Sequence, residues 1–136
     1  MEIRAYAEGD YTALTALWDA AGISVDYNDP AKDIPLMLAT PNCQLFVGLA
    51  GERLIGSIMV GHEGHRGWLY KLAVAPDAQG KGHGRDLVRH AERWLVARGL
   101  PKCNLLIRDT NLKVQDFYRR LGYEVAPRAV MQRWLK

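Results

Sequence analysis

The 136-residue sequence has two cysteines, Cys43 and Cys103, and neither a CxxC pair nor a Cys/His cluster. That leaves no zinc-type spacing, so no metal is expected, and the thiols read as free side chains beside apolar runs. No apolar run approaches the roughly 18–20 residues that span a bilayer. The opening Met1-Glu2-Ile3-Arg4 lacks a basic-then-apolar signal region. The expectation is a protein of the reducing cytoplasm, with no membrane partner. Eighteen Lys and Arg face 15 Asp and Glu, a formal charge of +3, but no run of five or six cations occurs. Nucleic acid is therefore not the expected partner, and a polyphosphorylated ligand would satisfy the mild basic excess.

What is present is one domain's worth of alternating strand and helix signals, without repeats or linker, read as a single domain over 1–136. Ile3 to Tyr6 alternates as a first strand. Leu14, Leu17, Trp18 and Ala21 recur at helical spacing and Gly22 stops them, which predicts a helix over Tyr11 to Ala21. Ile34 to Leu38 suggests a short second helix capped by Asp33, with Pro35 in its first turn. Leu45–Ala50 and Leu54–Val60 read as a hairpin around Gly51-Glu52-Arg53. A polar loop, Gly61 to Gly67, leads into Trp68–Val74, apolar enough to be central in a sheet. Leu87, Val88, Ala91, Trp94 and Leu95 mark an amphipathic helix that Gly99 ends. Asn104–Ile107 reads as a strand. Val114, Phe117, Tyr118 and Leu121 mark a last helix, and Tyr123 to Leu135 reads as one or two strands interrupted by Pro127. Mixed elements around a hairpin imply a mixed sheet covered by helices.

The informative stretch joins Leu72-Ala73-Val74 to the amphipathic helix through Gln79-Gly80-Lys81-Gly82-His83-Gly84-Arg85. Alternating glycines let the backbone turn tightly and approach a ligand closely. Unpaired N–H groups at a helix start, with Lys81, His83 and Arg85 beside them, favour an anion such as phosphate. A Walker loop needs Ser or Thr after Gly-Lys, and Gly82 stands there. A dinucleotide fingerprint runs GxGxxG on an early βα unit, and this loop is GxGxG beyond mid-chain.

Gln79-Gly80-Lys81-Gly82-His83-Gly84 resembles the pyrophosphate-binding signature of the Gcn5-related N-acetyltransferases. Met1-Glu2-Ile3-Arg4 looks like that family's first strand, and Leu72-Ala73-Val74 followed by Pro76 like its cofactor strand. Asn111 and Phe117-Tyr118-Arg119-Arg120-Leu121-Gly122-Tyr123 look like its last-helix motif. Tyr27-Asn28-Asp29-Pro30 and Gly64-His65-Arg66-Gly67 look like small bacterial YpeA-type members. The resemblance implies an α/β (α+β) fold: a mostly antiparallel sheet of six to seven strands, about four helices and a splayed strand pair at the cofactor site. It implies acetyl transfer from acetyl-CoA to an amine. The diphosphate of the donor would lie on the N–H groups of Gly80 to Arg85, and its pantetheine arm along Leu72, Ala73 and Val74.

Acetyl transfer needs a neutral amine, a stabilised oxyanion and a proton for the departing thiolate. The resemblance makes the Val74 N–H the oxyanion donor, Tyr118 the thiolate's acid and Asn111 a pantetheine contact. By its own pattern Tyr118 also reads as a core aromatic and Asn111 as a helix cap. Glu63 is the candidate base, acting through water, with His62, His65 and Tyr70 as alternatives. The amine can also lose its proton to solvent. Asp26, Tyr27 and Asn28 are the acceptor-side candidates; Asp26, Asp29 and Glu63 suit a cationic amine, and Asp29 equally suits turn chemistry. Val130, Met131 and Trp134 suit either a homodimer contact or a final strand. The rival to an enzyme is a non-catalytic acyl-CoA-binding module of the same fold.

Overall fold

The computed structural model describes residues 1–136. The chain forms two compact units, Met1–Leu106 and Ile107–Lys136. The first holds β1 (Glu2–Ala5), α1 (Tyr11–Ala20), α2 (Pro30–Leu38), β2 (Cys43–Ala50), β3 (Arg53–His62), β4 (Gly67–Val74), α3 (His83–Val96) and β5 (Cys103–Leu105). One five-stranded sheet runs β1-β2-β3-β4-β5 in space. Its pairs are antiparallel except β4 with β5, which are parallel.

Period-two alternation gives the sheet two apolar faces. On one, Leu14, Leu17 and Trp18 of α1 and Ile34 of α2 pack with Leu45, Val47, Ile55, Ala73 and Ala75. Against the other lies α3, which buries Leu87, Val88, Ala91 and Leu95. Gly56 lets that helix come close, since a Cβ there would lie 2.8 Å from a methyl of Leu87. Each buried aliphatic side chain is worth about 1.5–3 kcal/mol of transfer free energy. Arg4 donates two hydrogen bonds to Asp10, at 2.7 and 2.9 Å, and ties β1 to the start of α1. That pairing, foremost the hydrogen bond from Arg4, holds the Asp10 carboxyl below its ordinary pKa.

Several expectations are corrected. The sheet has five strands, not six or seven. The tail beyond Tyr123 forms none: Pro127 removes a ladder donor, and Ala129-Val130-Met131 breaks the alternation. The middle strand is β3; the apolar Trp68–Val74 stretch is an interior strand next to it, flanked by β3 and β5, although β5 pairs only with Gly67–Leu69. The second helix begins four residues before the expected start (34 − 30), at Pro30, and Asp29 rather than Asp33 caps it by accepting from Ala31 N at 3.0 Å. Pro30 takes the first helical position, where no N–H is needed. Pro35 then sits inside the helix rather than in its first turn.

The second unit is built on α4 (Leu112–Arg120). The Asn111 side chain accepts from Val114 N at 3.3 Å, an N-cap. Gly122, at φ +98°, ends the helix, and Tyr123 N donates back to Tyr118 O at 3.0 Å. Tyr118 is buried, with Phe117 and Tyr123 rings edge-on to it at 5.0 and 5.4 Å.

Candidate functional site

β4 has an unusual second half. Its pairing with β5 stops at Leu69↔Leu105, so no strand pairs with Tyr70–Val74 on that side. On its other side the register slips: Met59 faces Tyr70 but Ser57 faces Ala73, so Lys71 and Leu72 together oppose Ile58. This is a β-bulge. Lys71 stands at φ +56°, in the left-handed region that side chains other than glycine's rarely take.

After the bulge the ladder resumes, with Ala75 N donating to Ile55 O at 2.8 Å. Antiparallel alternation then turns the N–H and C=O of Val74 away from β3, towards the unpaired edge. The side chain of Gln79 donates from Nε2 to that Val74 carbonyl at 3.1 Å. The glycine loop is thereby tied back to the strand it leaves. Arg53 adds an exposed tie to Asp77 at 2.8 Å.

Beyond Gln79 the backbone makes two left-handed turns, Gly80 at φ +78° and Gly82 at φ +84°. Gly82 is the N-cap of α3, and no side chain caps the helix there. The first helical bond is Asp86 N to Gly82 O at 3.1 Å. The N–H groups of His83, Gly84 and Arg85 precede it and have no carbonyl to reach within the helix. Lys81 and Arg85 are exposed beside them. A Cβ on Gly82 would sit 3.3 Å from an Arg85 guanidinium nitrogen, where the backbone now stands clear. Convergent donors, a helix dipole and two cations fit a diphosphate. Leu72, Ala73 and Val74 are joined to the run Gln79–Arg85 through the short 3-10 turn Pro76–Ala78.

The other candidates lie elsewhere. β4 is eight residues long; at about 3.3 Å per residue its ends are some 20 Å apart. The glycine loop follows one end and Glu63 precedes the other. Glu63 Oε1 accepts from His65 N and Arg66 N, and Oε2 from Trp68 Nε1 at 3.2 Å. These donors, Arg66 N foremost, hold its carboxyl below the ordinary range. A base for neutral pH needs the opposite shift. His62 Nδ1 accepts from Gly64 N at 2.9 Å, in the same turn. His65 is exposed, and burial raises the pKa of the half-exposed Tyr70 phenol. Asp26, Tyr27 and Asn28 lie between α1 and α2, where Asn28 N donates to Val25 O at 3.1 Å. Asp26 and Tyr27 are exposed. No three His, Cys, Asp or Glu side chains gather to hold a metal ion. No helix is long and apolar enough to cross a membrane.

Ser57 was not singled out in the sequence. It is wholly buried, accepts from Trp18 Nε1 at 2.9 Å and donates to the Lys71 carbonyl at 2.8 Å. Its one signal was a lone hydroxyl inside the apolar Leu54–Val60 run.

A model of the acetyltransferase (GNAT) family matches residues 11–123. An acetyltransferase of Sodalis glossinidius (strain morsitans) is 40% identical over 126 residues, covering 92% of this chain and 88% of that protein. One from Pectobacterium atrosepticum is 39% identical over 125 residues, covering 91% and 88%. Among solved structures, a putative acetyltransferase from Agrobacterium tumefaciens superposes with a TM-score of 0.83 at 21% identity, over 98% of this chain and all 100% of that one. The aminoglycoside N-acetyltransferase AAC(6')-Iy, solved in complex with CoA, superposes with a TM-score of 0.82 at 18% identity, over 99% and 95%. The structural likenesses establish the mixed α+β fold, and the family match together with the acetyltransferases 40% and 39% identical makes acetyl-CoA the co-substrate. The chain belongs to the acetyltransferase (GNAT) family and is an acetyl-CoA-dependent acyltransferase.

Proposed function

We propose that this chain moves an acetyl group from acetyl-CoA to a primary amine by direct attack through a tetrahedral intermediate. The observation that carries the reading is the unpaired Leu72–Val74 edge, joined through the short Pro76–Ala78 turn to an uncapped helix N-terminus. Acetyl-CoA supplies the acyl group as an activated thioester. Leu72 and Val74, either side of Ala73, offer backbone groups to the pantetheine arm as an added strand would, while those of Ala73 face β3. The outward Val74 N–H donates to the oxyanion. Gln79 fixes the loop on Val74, while the N–H groups of Gly80 to Arg85, with Lys81, His83 and Arg85, hold the diphosphate.

Tyr118 donates a proton to the departing thiolate, and Asn111 bonds the pantetheine amides with its carboxamide N–H. Both roles rest on the family motif. The family match runs across the boundary between the two units, and we take 1–136 as one acetyltransferase domain. Glu63 acts as the cap of its turn, and the amine gives up its proton to solvent. Asp26, Tyr27 and Asn28 meet the acceptor, with the exposed Asp26 drawing in an ammonium. A polyamine-like small molecule suits that charge, as aminoglycosides suit several proteins of this fold.

The test is thermal unfolding with and without acetyl-CoA, followed by an amine screen. Ligand at 100 times its Kd stabilises by about 2.7 kcal/mol, which is several degrees for a domain this size. A shift with an acetylated product supports the reading. A shift with no product from any amine points to the binding module. No shift with acetyl-CoA or CoA removes the cradle.

A further inference from the structure

β3 carries one polar side chain at full burial, Ser57, inside Ile55-Gly56-Ser57-Ile58. A buried hydroxyl is costly without partners. This one has two, both drawn from other elements: it accepts from Trp18 Nε1 of α1 and donates to the Lys71 carbonyl of β4. The Lys71 carbonyl is the group that the bulge turns out of the β3–β4 ladder. The same residue stands at φ +56°, and its ammonium lies 5.0 Å over the Trp18 ring. Hydroxyl, indole and cation thus all converge on the strained residue.

The bulge decides which way β4 faces. Before it, Gly67 lies against Leu95 of α3; after it, Ala73 and Ala75 lie against α1. Odd-numbered positions therefore change faces, as one inserted residue requires. With an unbulged strand the groups now directed to the free edge at Val74 would point at β3 instead.

We infer that Ser57 and Trp18 are positioning residues for acyl transfer, holding the Lys71 bulge so that the Leu72–Val74 edge presents its backbone to the acyl–pantetheine arm. This rests on the reading of that edge given above. Neither side chain touches the donor; both act through the backbone of Lys71.

The experiment compares wild type, Ser57→Ala and Ser57→Ala/Lys71→Gly. Amide hydrogen exchange is followed at Ala73 and Ala75, with Val47 of β2 as control. Calorimetry measures binding of acetyl-CoA and of 3′-phosphoadenosine diphosphate, which has the nucleotide and diphosphate but no pantetheine arm. Ser57→Ala is expected to speed exchange at Ala73 and Ala75 tenfold or more beyond any change at Val47. It should raise the Kd of acetyl-CoA at least tenfold and leave that of the nucleotide within twofold. Glycine takes a positive φ without strain, so Lys71→Gly in the same chain should recover most of the acetyl-CoA affinity. A purely structural role would weaken both ligands together and show no rescue. Unchanged exchange at Ala73 and Ala75, or equal weakening of both ligands, overturns the inference. If Ser57→Ala does not fold, Trp18→Phe removes the indole donor together with part of a buried ring, and it should speed exchange at Ala73 and Ala75 beyond any change at Val47 and weaken acetyl-CoA more than the nucleotide; no movement, or equal movement at Val47 and for both ligands, overturns the inference. Wild type that binds neither ligand defeats the acyl-transfer reading itself, and with it the functional role assigned here. The exchange data then still decide whether the hydroxyl holds the bulge.

Discussion

β4 is flanked by two loops of nearly the same composition that do opposite things. The loop before it, His62-Glu63-Gly64-His65-Arg66, and the loop after it, Gln79-Gly80-Lys81-Gly82-His83, both combine glycine, histidine and a cation. Each turns through left-handed glycine, Gly64 at φ +93° and Gly82 at φ +84°. In the first, Glu63 fills the turn and accepts from the N–H groups of His65 and Arg66. In the second, no side chain takes the donors at the start of α3. We read only the second as an anion site, because its own sequence leaves the donors unfilled; glycine and positive charge alone do not make one.

The sharpest break of this comparison is a matched pair, Gly82→Val and Gly64→Val. Both force a side chain into left-handed backbone, at about 1–2 kcal/mol each. Only Gly82→Val is expected to weaken acetyl-CoA tenfold or more, because its Cβ enters the cradle. Equal loss of binding in calorimetry would mean the two loops are not functionally distinct. Next in size is His83→Glu, which gives the second loop the carboxylate of the first. An acid in the first turn of a helix stabilises by about 0.3–1 kcal/mol. The expected outcome is a slightly higher Tm for the free protein together with weaker acetyl-CoA binding, seen in one thermal titration.

Smaller again is Glu63→Gln. If Glu63 caps its turn, turnover and the pH profile of kcat/KM stay as they are and Tm falls slightly. A lost basic-side rise would make Glu63 the base after all. The smallest effect is the titration of the turn. The folded pKa of Glu63 is depressed, so the order it confers is complete above its unfolded value of about 4.3 and lost as pH falls through the folded value. The NMR shift of the Trp68 indole N–H, which donates to Glu63, should move in that acid window while the His83 and Arg85 amides do not follow it.

Much of the molecule was legible. The Leu87–Leu95 stripe, the hairpin and the Gly22, Gly99 and Gly122 stops follow from periodicity and from glycine's freedom at positive φ, all local properties. Asp29 suited turn chemistry because cap and turn use the same residue types; the cap geometry decides between them. The tail misled because Val125, Val130 and Trp134 have strand-like composition, yet strands need a partner edge, which no short window encodes.

The sequence by itself determined the family, the donor it uses and the glycine loop at the start of α3. Those depend on contiguous residues whose backbone freedom and charge are fixed by type. Tertiary structure alone decided that β3 is the middle strand, that the pairing of β5 with β4 stops at Leu69, and that Lys71 is driven to positive φ with its carbonyl bound to Ser57. The physical reason is register: Trp18, Ser57 and Lys71 lie far apart in the chain, and only pairing β3 with β4 under α1 makes one hydroxyl answer both an indole and a displaced carbonyl.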